Sequence, residues 1–211
     1  MPEGRTKPIV FVVDDDNDVR EGLKALLDSV EMRCEAFGST KEFLQRELTD
    51  DPSCLILDVR LPGASGIDLQ DELTSSQIKI PIIFISGHGD IPMTVKAMKA
   101  GAVGFLTKPL HEQELLDSIH IALERDAVRR DKERIHLELQ TRYDTLSTRE
   151  REVMAMVTTG FLNKQTAAKI GLSEVTVKVH RHNVMKKLGA KSLPELVRIA
   201  DSLVIGKKSK V

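Results

Sequence analysis

A chain of 211 residues has room for one or two domains, and its 41% apolar content suffices for packed cores built from Leu, Ile, Val, Met and Ala, since aromatics make up only 3%. No apolar run approaches the roughly 20 residues of a membrane span, Ile9–Val13 is too short for a signal peptide and ends in Asp14-Asp15-Asp16, and Cys34 and Cys54 form no CxxC pair; a membrane-spanning, secreted or disulfide-stapled protein is therefore disfavoured, and a cytoplasmic chain with two reduced thiols is expected. The net charge of −1 conceals a split, because residues 144–211 hold 13 Lys+Arg against 6 Asp+Glu (+7) while residues 1–143 hold 18 against 26 (−8), which predicts an anionic partner for the last third.

In chain order, Ile9–Val13 is an all-apolar, β-branched run of the kind found in a buried parallel strand. Residues 17–30 place Leu23, Leu26, Leu27 and Val30 at helical spacing. A short strand is expected at 33–37, and Ser39 with Glu42 forms a capping box for a helix over 39–48. A strand over 54–57, a helix over 66–75 and a strand over 82–86 follow. Asp90 is a candidate cap for a helix that runs to Ala100 and stops at Gly101, and 104–106 reads as a fifth strand before Lys108-Pro109. This repeated βα pattern predicts a doubly wound parallel sheet, whose site lies at the carboxyl ends of its strands.

From Glu112 the strand signals cease. Leu115, Leu116, Ile119 and Leu123 form a face that can cover the sheet as a last helix. Residues 124–142 are highly charged, lack Gly and Pro, and read as a helical or partly helical linker without a sustained heptad. The remainder reads as short helices. Ser147 and Glu150 box a helix over 149–159 that ends at Gly160; Asn163 is a candidate cap for a helix to Ile170. Gly171 supplies a tight turn, and Ser173 caps 174–188, which Gly189 closes. Ser192 and Glu195 box a last helix to about 204.

Two constellations carry chemistry. Asp14, Asp15 and Asp16 follow the first strand, Asp58 the third and Lys108 the fifth, while Ser86 ends the fourth, so a parallel sheet gathers them on one edge. A carboxylate can attack phosphorus and hold an acyl phosphate, clustered carboxylates favour a hard divalent ion, and a hydroxyl and an ammonium can pair with phosphate oxygens. Taken singly, each has a plainer use: Asp16 and Asp18 could merely cap a helix. A calcium loop read through Asp14, Asp16 and Asp18 fails, because Val19 stands where Gly is needed and Ala25 where Glu is needed. A haloacid dehalogenase-type phosphatase remains as the enzyme alternative, although its pattern wants Thr or Val at position 18, where Asp18 stands. In the basic part, 163–188 reads as helix, turn, helix. Its second helix offers Thr176, Lys178, Val179, His180, Arg181, His182, Lys186 and Lys187 for a groove, and Val177, Val184, Met185 and Leu188 for a core. A solvated basic face is the plainer reading, and a phosphorelay protein whose basic domain binds another protein is the competing function.

Residues 8–123 resemble the receiver domain of two-component systems through Val13-Asp14-Asp15, Leu57-Asp58 with Leu61-Pro62-Gly63, Ser86-Gly87-His88-Gly89-Asp90 and Phe105-Leu106-Thr107-Lys108-Pro109. Residues 146–204 resemble the LuxR-type output domain of the NarL/FixJ family through Leu146-Ser147-Thr148-Arg149-Glu150-Arg151-Glu152-Val153, Asn163-Lys164-Gln165-Thr166-Ala167-Ala168 and Val175-Thr176-Val177-Lys178-Val179-His180. The resemblance implies a flavodoxin-like, five-stranded α/β receiver over 8–123, a charged linker over 124–143, and an all-α helix-turn-helix domain over 144–206. It implies that Asp58 is the phosphoacceptor and that Asp15, Asp58 and the backbone carbonyl of Arg60 hold Mg²⁺ with help from Asp14. Ser86 and Lys108 would read the phosphate, and Phe105 would be the aromatic switch. On the output side, Thr176, Lys178, Val179 and His182 would face DNA, with Arg181 beside them and Lys186 on the backbone. The implied protein is not an enzyme. Its expected partners are a sensor histidine kinase, double-stranded DNA, a second copy of itself once phosphorylated and, as a further allowed partner, RNA polymerase. A cis bond at Lys108-Pro109 is common in such receivers. Here Leu61, Ser86 and Phe105 stand where the family more often has Met, Thr and Tyr.

Overall fold

The structure is a computed structural model that describes residues 7–47, 49–87 and 91–208. The chain divides into two compact units, Met1–Arg130 and Asp131–Val211.

In the first unit the elements run β1 (Ile9–Val13), α1 (Asn17–Ser29), β2 (Arg33–Phe37), α2 (Thr40–Leu44), β3 (Ser53–Asp58), β4 (Arg60–Leu61), β5 (Ala64–Ser65), α3 (Gly66–Ser75), β6 (Ile82–Ser86), α4 (Ile91–Lys99) and β7 (Gly104–Thr107), and then α5 (Glu112–Asp144) begins. The main sheet has the order β2-β1-β3-β6-β7, and every pair in it is parallel. The order reverses direction at β1, since β2 lies on one side of it and β3 on the other. That places a switch point, where such sheets open a crevice, between the carboxyl ends of β1 and β3.

The strands carry two cores because successive side chains leave opposite faces. Ile9, Phe11, Val13, Leu55, Leu57, Ile82 and Phe84 pack with Phe43 of α2, Ile67, Leu69 and Leu73 of α3 and Ala97 of α4. Val10, Val12, Cys54, Ile56, Ile83 and Ile85 pack with Leu23 and Leu27 of α1 and Leu115, Ile119, Ala122 and Leu123 of α5. Helices thus cover both faces, as continuous apolar strands require.

Several local expectations are corrected. Helix α1 stops at Ser29, because Glu31 at φ 58° reverses the chain; Val30 therefore becomes an exposed C-cap and not a core position. Helix α2 is shorter than the capping box suggested: Gln45 ends it, while Leu48 and the cap proposed at Asp90 lie outside the described residues. The hairpin of β4 and β5 had no signal of its own. Helix α5 is one unbroken helix of 33 residues, so the charged stretch read as helical or partly helical is helical throughout and continuous with the helix that covers the sheet. No Gly or Pro interrupts it. Its exposed side chains pair along the helix at i, i+4 spacing, as in Arg134–Glu138 at 2.8 Å and Gln140–Asp144 at 3.0 Å.

Its buried positions Leu115, Ile119, Ala122, Leu123 and Asp126 form a stripe of helical spacing that ends in a carboxylate. Asp126 is fully buried, accepts from the Ser53 amide at 2.9 Å, and pairs with Arg129 and Arg130 at 2.6 Å each. An unpaired carboxylate there would be costly, so both arginines and the amide are needed.

The second unit holds the end of α5, α6 (Thr148–Thr158), α7 (Asn163–Ile170), α8 (Glu174–Leu188) and α9 (Leu193–Lys208). Its core is Leu146, Val153, Met154, Val157, Ala167, Val177, Val184, Leu188, Leu196 and Leu203. The Ser147–Glu150 capping box is present, and Lys187 of α8 donates to Glu150 at 2.7 Å and to the Thr145 carbonyl at 3.1 Å, which fastens the end of α8 to the start of α6. Asn163 is not the cap of α7. Leu162 takes that place, with its amide donating to Gln165 at 2.9 Å, while Asn163 Oδ1 accepts from Arg181 at 3.3 Å.

Candidate functional site

Parallel pairing in register brings the ends of β1, β3, β6 and β7 to one edge, and the predicted residues arrive there with them. Lys108 Nζ lies 2.7 Å from Asp14 Oδ2 and 2.7 Å from Asp58 Oδ2. Oxygens of Asp14, Asp15 and Asp58 all lie within 4.8 Å of one another. Asp14 and Asp58 are buried and Asp15 is exposed, so the cluster has a covered floor and an open lip.

The surroundings hold each group in place. Asp14 Oδ1 accepts from the Asp16 amide at 2.9 Å, and its backbone carbonyl accepts from Arg20 at 2.6 Å. Asp58 Oδ1 accepts from the Arg60 amide at 3.0 Å, and Arg60 pairs with Ser65 in the small hairpin. Ser86 is buried at the end of β6; its carbonyl accepts from the Lys108 amide at 2.8 Å, and the Lys108-Pro109 bond is cis. Phe105 is half-buried, 6.3 Å from Phe84 between ring centres.

Gly66 was not singled out from the sequence. A Cβ there would stand 2.3 Å from the Asp58 carbonyl oxygen, so only glycine lets α3 start this close to the loop behind Asp58. Nothing in the sequence short of the folded approach could reveal it.

Burial pushes the Asp14 carboxyl above its ordinary range, and the neighbouring Asp58 charge adds to this, although Lys108 and the Asp16 amide pull the other way. Burial alone would lower the Lys108 ammonium, but its bonds to Asp14 and Asp58 outweigh that and hold it above the usual lysine value. The ammonium is thus firmly charged. The three carboxylates are a donor set of hard oxygens, two on the covered floor and one on the open lip, the kind that suits Mg²⁺, so the residues present fit such an ion.

In the second unit, α7 and α8 join through Gly171 at φ 70°, with Leu172 N–H returning to the Ala167 carbonyl and Ser173 capping α8. Val177, Val184 and Leu188 face the core. Lys178, Val179, His182 and Lys186 are exposed, at spacings that put them on one stripe. Thr176 and Arg181 are half-covered: the Thr176 hydroxyl lies 2.8 Å from that of Ser173, and Arg181 is engaged with Asn163. Val175, which the sequence reading left unassigned, belongs to the exposed stripe.

The chain matches the family model described as "Response regulator receiver domain" over residues 10–120 and that described as "Bacterial regulatory proteins, luxR family" over residues 144–200. It is 55% identical over 203 residues to Nodulation protein W of Bradyrhizobium diazoefficiens, covering 96% of this chain and 89% of that protein. It is 41% identical over 200 residues to the transcriptional regulatory protein FixJ of Azorhizobium caulinodans, covering 95% and 93%. Among solved structures, that of the response regulator StyR aligns with a TM-score of 0.84 at 49% identity, covering 93% of this chain and 99% of that one.

Proposed function

The chain belongs to the two-component response regulators of the NarL/FixJ family, a receiver domain followed by a LuxR-type DNA-binding domain, and on that premise we propose that phosphorylation of Asp58 by a histidine kinase controls DNA binding and transcription. The observation that supports this most directly is Lys108 Nζ at 2.7 Å from both Asp14 and Asp58, residues 94 and 50 positions away in the chain.

In this reading residues 8–123 are the phosphoacceptor domain, 124–143 the helical linker and 144–206 the DNA-binding domain. An Asp58 carboxylate oxygen attacks the phosphorus of a phosphohistidine on the kinase; the new O–P bond forms as the P–N bond breaks, and the leaving imidazole nitrogen keeps the electron pair and takes up a proton. Asp14, Asp15, Asp58 and the Arg60 carbonyl would hold Mg²⁺, which supplies charge neutralisation on the transferring group. Lys108 pairs with phosphoryl oxygens, and the Ser86 hydroxyl hydrogen-bonds to one. A cleft of about 300 Å³ beside Lys108, lined by Leu23, Leu26, Pro109 and Leu110, offers the kinase an apolar foothold.

The acyl phosphate adds up to about two negative charges. Ser86 and Lys108 move to meet them, and Phe105 turns into the space vacated. The surface of α4, β7 and α5 repacks and favours a homodimer, whose output domains bind two DNA half-sites about one helical turn apart or a multiple of that. Thr176, Lys178, Val179 and His182 face the DNA with Arg181 beside them, and Lys186 meets the phosphate backbone. RNA polymerase is a further partner in this scheme, which runs in the cytoplasm.

Asp58→Asn tests the assignment. With acetyl phosphate and Mg²⁺ the natural chain should shift on a phosphate-affinity gel and the variant should not; label retained by the variant overturns Asp58 as the acceptor.

A further inference from the structure

Helix α8 turns Val177, Val184 and Leu188 inward, and its exposed residues between Val175 and Lys186 are all basic or histidine except two valines. Val175 is 71% exposed and Val179 53%. They stand four positions apart, so they share one face with Lys178, His182 and Lys186. Val175 lies two positions from Val177, about 200° around the helix, and so cannot join the core that Val177 enters. A lone exposed valine is unremarkable on a protein surface. This one sits in the first turn of the second helix of a helix-turn-helix, the end that meets base edges, on a stripe whose positive charge matches the phosphates flanking a groove.

We propose that Val175 seats against the 5-methyl group of a thymine in the major groove and sets the preference for thymine at one position of each half-site. The thymine methyl is the one apolar mark that the major groove displays, and an aliphatic side chain with no donor or acceptor can read nothing else there. Ser173, two positions before this residue, caps the helix and bonds to Thr176, so the turn bearing Val175 is held in place before any DNA arrives. The inference rests on the DNA-binding reading above and gives one of its contacts a defined chemical target.

The test uses the full chain treated with acetyl phosphate and Mg²⁺, and the duplexes that it retains from a randomised library. Each thymine in a retained duplex is replaced in turn by deoxyuridine, which removes the methyl group and leaves base pairing intact. One replacement per half-site should weaken binding by the natural chain roughly fourfold, the effect of losing one buried methyl-sized group. Val175→Ser should be indifferent to that replacement, while Val175→Thr, which keeps one methyl, should retain part of the penalty. Position 175 being exposed, thermal unfolding of both variants should match that of the natural chain. If every deoxyuridine penalty is equal in the natural chain and in Val175→Ser, Val175 reads no methyl group and the inference falls while DNA binding stands. If the natural chain retains no duplex at all, the DNA-binding reading falls and takes the inference with it.

Discussion

At the scale of single residues, placement was legible wherever a side chain stands at the end of a strand. Asp14, Asp58, Ser86 and Lys108 could be placed on one edge because a parallel sheet leaves them no other arrangement. Gly66 and Val175 were not legible, for opposite reasons. The value of Gly66 lies in a backbone approach that exists only after folding, and that of Val175 in what the helix fails to cover. Gly66→Ala makes the first point measurable. The added methyl must displace the Asp58 carbonyl or the start of α3, so the variant should lose about 1–3 kcal/mol in denaturant unfolding and accept phosphate from acetyl phosphate more slowly.

At the scale of elements, periodicity and caps located most helices, and errors fell where a neighbour decides the boundary. Asn163 has the chemistry of a cap, but Arg181 claims its side chain and Gln165 serves the preceding amide instead. The charged stretch of α5 was legible as helical from its lack of Gly and Pro, but its unbroken join to the sheet-covering helix was not, because no apolar repeat runs across the join; local propensity and pairs along the helix sustain it. The junction of α6 and α8 should show itself in pH dependence. Burial alone would raise the Glu150 carboxyl, but Lys187 and the Ser147 amide hold it below its ordinary value. A depressed acid contributes stability that is present above its unfolded value and lost as pH falls through the lower folded one. Acidification below about pH 4.5 should therefore lower the melting temperature of residues 131–211. In Glu150→Gln the same titration should be flatter, starting from a lower melting temperature at neutral pH.

At the scale of the whole molecule, composition alone disclosed two jobs, since −8 over residues 1–143 and +7 over 144–211 are not what one uniform surface would carry. DNA is a polyanion that the second part attracts and the first repels at a distance. A fragment of residues 144–211, which contains most of a core of its own, should bind DNA more tightly than the unphosphorylated full chain, and the difference should shrink as salt screens both effects. Equal affinities at every ionic strength would remove this electrostatic account.

The Lys108 ammonium, seated on two carboxylates at once, makes the acidic edge its own counter-ion exchanger. A dication reaching those oxygens trades places with a resident charge, so the measured affinity is a difference between two attractions. Lys108→Ala should therefore take up Mg²⁺ more tightly in calorimetry while losing the group that would, in the proposed function, pair with the phosphoryl oxygens. One deletion would strengthen the grip on metal and weaken the response to phosphate.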